Sequence, residues 1–518
     1  MDRGGVARAA GLLTVLTAVS QLLGFVRDAV VAAVFGAGAA LDAYLVSQGL
    51  MNLVLALVAS AMARAVVPTV SRAVADGDPS GGHRVTRTVL TLTALVLLTG
   101  AATAWFAVDG LVAILAPGFD DATREVAADL SRIVLLAAVL VAGTDILAAA
   151  AQAHGRFLWS GLQGIGFNVV MIGVAATLGV RYGITSLAWG FVAGSAVRLL
   201  MQLPAARATG LTARPRLDLR DPGVREVLHL VPALLLTAAA VNVGTLVDRA
   251  VGSAQGEGVI TALSLGWRIV TLVDTLLVVT LLAALYPAFG AAARHGGATV
   301  GRLVTRAMRV VITVLAPIVI GLVLVAEPVV ALLFGRGSFD DADVAATGLA
   351  VAGYAVGAVA LALRSLGTRA CLAMGDTRTP IMVSLVVLAV NVVGDLTLGL
   401  LFGIVGLAAA TSLSLAVGVV LVVRALHRRH GAVSVGGVLA TTGRAGVAAL
   451  LAASLCLLLG LPELATAAEG LLTQLGALLL TATVLCGAYA LVLRLLRAPE
   501  LEELATAVVG MRRGRRGR

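Results

Sequence analysis

The chain has no lysine. All 38 of its basic side chains are therefore arginines, set against 28 acids, and the formal net charge is +10. Only 13% of its 518 residues are charged, and it holds 13 prolines and 3 cysteines. With 59% hydrophobic residues and a mean hydropathy of +1.02, this scarcity of charge excludes a soluble globular chain of the same length. It describes a polytopic membrane protein. The basic balance does not point to nucleic acid, because the arginines cluster in short loops between apolar runs. Cys371, Cys456 and Cys486 all lie in apolar runs without metal-ligand spacing and read as buried free thiols. Neither a metal nor a cofactor is expected. The few prolines and the lack of a long low-complexity linker argue against a separate soluble domain. The first apolar stretch ends without a small-residue cleavage site, so it reads as a retained helix.

What is abundant is apolar sequence in lengths near 20 residues, enough to cross a bilayer as helix. About fourteen such spans follow one another, near residues 10–35, 42–70, 86–115, 126–152, 157–180, 184–206, 226–252, 258–290, 303–334, 344–373, 379–402, 404–425, 437–460 and 470–496. Loops after even-numbered spans carry Arg72, Arg84 and Arg87; Arg156; Arg207, Arg214, Arg216 and Arg220; Arg294, Arg302 and Arg306; and Arg424, Arg428 and Arg429. The short loop 375–378 is the balanced exception. The opposite loops hold Asp120, Asp121, Asp340, Asp341, Asp343, Glu463 and Glu469. Arginine loops face the cytoplasm, so both termini and the arginine-rich tail are expected there. The longest basic loop separates six spans from six. This gives an N-terminal six-helix half at 1–206, a cytoplasmic basic linker at 207–225, a C-terminal six-helix half at 226–430, two further helices at 431–497 and a basic cytoplasmic tail at 498–518. The expected fold is all-α and integral to the membrane, with two six-helix halves around a central cavity, a recurring transporter plan.

The stretch from Ser20 to Asp42 marks the candidate site. Arg27 and Asp28 sit inside an apolar span, where a charge costs roughly 2.5–3.5 kcal/mol on insertion scales and usually faces a partner or a cavity. Ser20, Gly24 and Arg27 share one face of that helix, and Gln21, Gly24 and Asp28 the adjoining one. Arg27 lies nine residues before Gly36, and Arg268 ten after Gly258, so both fall roughly 15 Å below the outer surface. One from each half, they can clamp a diphosphate, which suits arginine's planar fork; alternatively each neutralises an acid, Asp28, Asp274 or Asp248. Arg249 shares a face with Asn242 and Thr245, and serves either substrate or an interhelical ion pair. Arg64, near the cytoplasmic end of its span, either reaches substrate or snorkels. Asp145, Arg364, Arg369 and Asp395 are further charges inside spans. Asp120-Asp121 and Asp340-Asp341 raise the idea of a polytopic glycosyltransferase, but no histidine cluster or metal spacing accompanies them. No nucleotide-binding loop is present, so transport would be secondary, driven by an ion gradient or the membrane potential.

Six stretches in order then resemble the MurJ (MviN) lipid II flippases of the multidrug/oligosaccharidyl-lipid/polysaccharide exporter superfamily. They are GFVRD at 24–28 with FGAG…DAY at 35–44; QAHGRF at 152–157 followed by Asn168; VDRAVGSAQGEGVITAL at 247–263 followed by Arg268; LLFGRGSFD at 332–340; MGDTRTP at 374–380; and Asn391. The resemblance implies a fourteen-helix fold, an alternating-access cavity between the halves, a lipid-tail groove involving the last two helices, and cavity residues Arg27, Asp42 and Arg268. It also marks departures: family arginines are replaced by Gln21, Leu55 and Ala56, an acid-glycine pair by Ser60-Ala61, and Arg64 is an arginine outside the pattern.

The function expected is flipping of a polyprenyl-diphosphate-linked saccharide, lipid II foremost, from the inner to the outer leaflet of the bacterial cytoplasmic membrane. The alternatives are a paralogue exporting another amphiphile or small molecule, and a transport-dead scaffold for cell-wall enzymes. No enzymatic activity is expected. The expected partners are the lipid-linked saccharide diphosphate, membrane lipids, a coupling ion and cell-wall synthesis proteins.

Overall fold

A computed structural model describes residues 3–212, 214–275, 292, 297–431, 433–468 and 470–500. The end of the expected span 258–290, Arg294, Glu469 and the arginine tail lie outside them, as do the side chains at positions 55 and 56. Among the described residues every long element is a helix. In chain order these are α1 (Arg3–Phe35), α2 (Ala39–Ala75), α3 (Pro79–Phe106), α4 (Val108–Leu115), α5 (Asp121–Leu135), α6 (Ala137–Ala153), α7 (Leu158–Tyr182), α8 (Thr185–Ala208), α9 (Pro222–Ser253) and α10 (Val259–Asp274). They continue with α11 (Gly297–Leu324), α12 (Ala326–Phe334), α13 (Asp341–Ala373), α14 (Arg378–Gly394), α15 (Leu400–His430), α16 (Val435–Leu458), α17 (Leu461–Thr466) and α18 (Leu471–Leu495). A π-helical turn, Asp395–Gly399, joins α14 to α15.

Ten of the described helical stretches are long and apolar enough to cross a membrane, or up to eleven if the bent pair Ala39–Leu53 and Val58–Ala75 counts as one span. One stretch, Arg378–Arg429, has 52 residues. At 1.5 Å per residue it measures about 78 Å, more than twice the hydrocarbon thickness, so it makes two passes. It breaks at Gly403, whose φ of 61° and ψ of −138° leave the helical region. That glycine is where the expected spans 379–402 and 404–425 meet. Three expected spans prove to be two helices each. The runs 86–115, 126–152 and 303–334 break at Ala107, Leu136 and Val325. Each break falls on an apolar residue.

Helix starts follow local chemistry. Asp78 caps α3 by accepting from the Gly81 amide at 2.8 Å, with Pro79 in the first turn where its missing N–H is harmless. Asp221 and Pro222 repeat the device at α9. The Asp120 side chain accepts from the Thr123 amide at 3.0 Å, and Asp121 pairs with Arg124 at 2.8 Å. This acid pair is therefore occupied in starting α5. Hydrogen bonds from Ser80 and Gly81 hold the Asp78 carboxyl below its ordinary pKa, and those from Thr123 do the same for Asp120.

The chain forms two compact units. The first comprises residues 1–261 with 336–340, and the second 262–335 with 341–518. This division falls after Thr261 and keeps α9 with the first unit, because α9 packs along α2. In the first unit α1 lies on α7, α7 on α8, α8 on α6, and α2 on α3, α5 and α6. Its core includes Val31, Tyr44, Leu50, Val112, Val134 and Phe167. Loop 336–340 belongs here too: the Ser338 amide donates to the Ala33 carbonyl at 2.8 Å. In the second unit α13 packs on α11 and α15, and α16 on α11 and α18, around Met308, Leu315, Leu366, Val422 and Leu485. Glu500, beyond the last span, is 2% exposed and joins this core as an ion. It accepts from Arg444 at 2.6 Å, from Arg309 at 3.2 Å and from the Thr441 hydroxyl. Burial pushes its carboxyl up, but the donors prevail and bring it down to about 2.

Candidate functional site

The polar face of α1 meets α7 because α7 is nearly bare there. A Cβ at Gly164 would fall 2.1 Å from the Ser20 hydroxyl, and one at Gly161 would fall 2.6 Å from Leu16. At this close approach Asn168 donates to the Ser20 carbonyl at 3.0 Å and accepts from Arg27 Nη1 at 3.3 Å. Arg27 also grips its neighbour: Nε and Nη2 both reach Asp28 Oδ1, at 3.0 and 2.7 Å. The Arg27 guanidinium is thus held by a part-buried acid and a buried amide in the first unit. Its Cζ lies 5.9 Å from the centre of the Phe167 ring. Of the two roles open to Arg27, neutralising Asp28 is structurally realised, and it leaves the arginine 25% exposed.

Asp42 has a different occupation. It is 1% exposed, and its two oxygens accept from the Gly258 amide at 2.8 Å, the Thr261 amide at 2.7 Å and the Thr261 hydroxyl at 2.6 Å. It therefore caps the N-terminus of α10 from the first turn of α2, satisfying amides that a helix start leaves open. Gly258 is the residue that allows this: its φ is +80°, and a Cβ would lie 2.2 Å from the Ala37 carbonyl oxygen. Arg268 stands seven residues beyond Thr261 on α10, on the same face. Its neighbour Trp267 packs edge-on against Tyr354 at 5.2 Å. Arg268 belongs to the second unit, whereas the other five candidate residues belong to the first.

Arg249 on α9 is half-buried and presses on α2 at Gly49, where a Cβ would fall 2.1 Å from its Nη1. Asp248 and Asp42 are the acids that act on it. Arg64 is exposed and folds back on its own helix, donating to the Ser60 carbonyl at 3.1 Å and the Ser60 hydroxyl at 3.3 Å. The structure joins Arg27 with Asp28, and Arg249 with the surroundings of Asp42; it leaves Arg64 apart.

One charge escaped the sequence reading. Arg198, in the middle of α8, lies 3.5 Å from Asp145 of α6 and 5.7 Å from the centre of the Phe167 ring. The available signal was a single arginine in the apolar run FVAGSAVRLLMQL. In the second unit, Asp395 is fully buried in the π-helical turn and accepts from Asn391 at 3.2 Å, while Asn391 also donates to Thr411 at 3.4 Å. π-Turns inside helices recur at functional sites.

The family profile described as lipid II flippase MurJ matches residues 31–475. The probable lipid II flippase MurJ of Vibrio cholerae is 28% identical over 432 residues, 80% of this chain and 82% of that one. The lipid II flippase MurJ of Burkholderia cenocepacia is 27% identical, covering 79% and 80%. Among solved structures, a lipid II flippase MurJ in an inward closed conformation matches with a TM-score of 0.76 at 20% identity, over 94% of this chain and 99% of that one. An inward-facing multidrug resistance MATE family transporter matches with a TM-score of 0.66 at 16% identity, over 82% and 95%. These structural likenesses establish a shared transporter fold. With the profile spanning most of its length, this multi-pass membrane protein belongs to the MurJ lipid II flippase family.

Proposed function

We propose that the chain flips lipid II, a polyprenyl-diphosphate-linked saccharide, from the inner to the outer leaflet of the bacterial inner membrane by alternating access. The family profile over residues 31–475 carries this reading. The division of labour follows the sequence: six-helix halves at 1–206 and 226–430, joined by the basic linker 207–225, with both termini in the cytoplasm. That linker is anchored on α3, where Arg87 donates to the Arg214 carbonyl at 2.7 Å and the Arg216 amide to Thr91 at 3.2 Å. Helices α16 and α18, whose outward leucines are exposed, supply the apolar surface for the prenyl tail. Arg27 and Arg268 act as cations toward the diphosphate, and Asp28 tempers Arg27 when no substrate is present. Asp42 acts by placing the helix that carries Arg268. Arg249 braces α9 on α2, and Arg64 serves the solvated end of α2.

The work is transport, not covalent chemistry. An ion gradient or the membrane potential drives it, and Asp395, an acid enclosed within a membrane helix, is the group we assign to ion coupling. The decisive experiment is complementation in a bacterium depleted of its lipid II flippase, together with mass spectrometry of co-purifying lipids. Growth with bound lipid II supports the reading. Failure to grow, with the protein present in the membrane, favours export of another amphiphile, or a scaffold for cell-wall synthesis proteins if no lipid co-purifies.

A further inference from the structure

Two guanidinium groups share one aromatic ring in the first unit. Arg27 Cζ lies 5.9 Å from the Phe167 centroid and Arg198 Cζ lies 5.7 Å from it, so the two carbons are at most the sum of these, about 12 Å, apart. Phe167 is itself pinned by Phe191, edge-on at 5.3 Å, which makes the ring a fixed spacer. Helix α7 packs on both α1 and α8, and α8 on α6, which brings these groups together.

The two cations differ in how fully they are occupied. Arg27 spends Nε and Nη2 on Asp28 and Nη1 on Asn168. Among the described residues Arg198 has one acid, Asp145, at 3.5 Å, beyond a well-formed charged hydrogen bond, and its buried Nε has no hydrogen-bond partner there. An arginine inside a membrane helix with donors to spare can take an anion as a further partner. Both side chains keep some accessible surface, 25% for Arg27 and 20% for Arg198. A diphosphate gripped at each end by a guanidinium sets their carbons roughly 10 Å apart, within the separation allowed here.

We propose that Arg198 is a second diphosphate-binding residue of the first unit, paired with Arg27 across Phe167 and held by Asp145 until the anion arrives. This rests on the flippase reading above. It adds a ligand that the sequence did not suggest, and it makes Arg198 the more available of the two cations.

The test uses the full chain in nanodiscs, with a polyprenyl diphosphate and a polyprenyl monophosphate as probes, read by native mass spectrometry. Arg198→Ala should weaken diphosphate-lipid binding at least tenfold, and weaken the monophosphate less. Arg198→Lys should restore part of the loss, lacking the bidentate fork. Asp145→Asn should bind at least as tightly as the parent, because it releases the arginine. The paired change Asp145→Ala with Arg198→Ala removes both charges and so leaves no unpaired ion to disrupt folding. It should stay as weak as Arg198→Ala alone. Parent-like affinity in that double variant, or in Arg198→Ala, would reduce Arg198 to a counterion for Asp145 and overturn the inference while leaving the flippase reading intact. A parent protein that prefers neither probe over neutral phospholipid would instead sink the flippase reading, and this inference with it.

Discussion

Asp42 offers the sharpest quantitative test, because the two roles open to it predict different variants. Its carboxylate receives three hydrogen bonds, from Gly258 and twice from Thr261, and it is 1% exposed. Hydrogen bonds to a charged group contribute about 1.5–3 kcal/mol each, and part of that is returned by no longer burying the charge. Asp42→Ala leaves three donors unanswered at the start of α10. A loss of about 3–6 kcal/mol follows, after discounting for non-additivity. At roughly 2 °C per kcal/mol for a domain of this size, the melting temperature of the purified protein should fall by about 6–12 °C. Asp42→Asn keeps one acceptor for Thr261 but turns an NH₂ toward the Gly258 amide, so about half of that loss is expected. Thermal unfolding in detergent, followed by intrinsic fluorescence and set beside complementation, gives both readouts. If Asp42 acts by capping, activity should track stability across the two variants. A Asp42→Ala protein that melts within 1 °C of the parent (roughly half a kcal/mol) would refute the capping argument. A stable but inactive Asp42→Asn would show that the charge itself serves the substrate.

Other outcomes follow from the same geometry. Gly258→Ala places a side chain at positive φ and onto the Ala37 carbonyl, so it should cost at least about 2 kcal/mol and lower the melting temperature as Asp42→Asn does. Arg27→Ala and Arg268→Ala should each abolish lipid II transport in proteoliposomes without loss of folding, lysine should rescue poorly, and the double variant should be no worse than either single. Glu500 has a folded pKa brought down to about 2 from an ordinary 4.5, so its contribution is present in full above pH 4.5 and fades as the pH falls toward 2. Glu500→Gln should therefore lower the melting temperature at pH 7, and the gap to the parent should close on acidification; an unchanged gap would contradict the ion cluster. Cysteine placed at Asp340 should react with an impermeant maleimide from outside only, and cysteine in the 207–225 loop from inside only. Reaction at position 340 from inside would overturn the topology.

Much of the fold was legible because apolar runs of membrane length are written directly in the sequence. Gly403 is an example: the boundary between two spans was read there, and the backbone does leave the helix at that residue. The breaks at Ala107, Leu136 and Val325 were not read, since each falls on an apolar residue within an apolar run, and Asp109 and Glu327, two residues beyond the first and last, are single acids in those runs. At the site, the oddity of Arg27 and Asp28 in a greasy helix was plain, and their pairing follows from adjacency. The role of Asp42 was hidden because its partners lie 216 and 219 residues away, and spacing says nothing about contacts at that range. Arg198 went unnoticed for the opposite reason. It has neither motif nor neighbouring charge in sequence, and it gains meaning only when the fold sets α6 and α7 beside it.

The three cysteines bear on how the molecule can be watched at work. Cys371 and Cys456 are sealed in the core of the second unit, as expected, but Cys486, expected to be buried with them, is exposed on α18 because its helix face is turned outward. Replacing that single thiol with alanine should give a chain silent to maleimide under native conditions, with both core thiols left to keep their packing. With no lysine present, no side-chain amine competes for amine-directed probes either. Pairs of reporter dyes, one in each unit, can then be installed without stripping the protein of its own residues, and the turnover of single molecules followed by energy transfer.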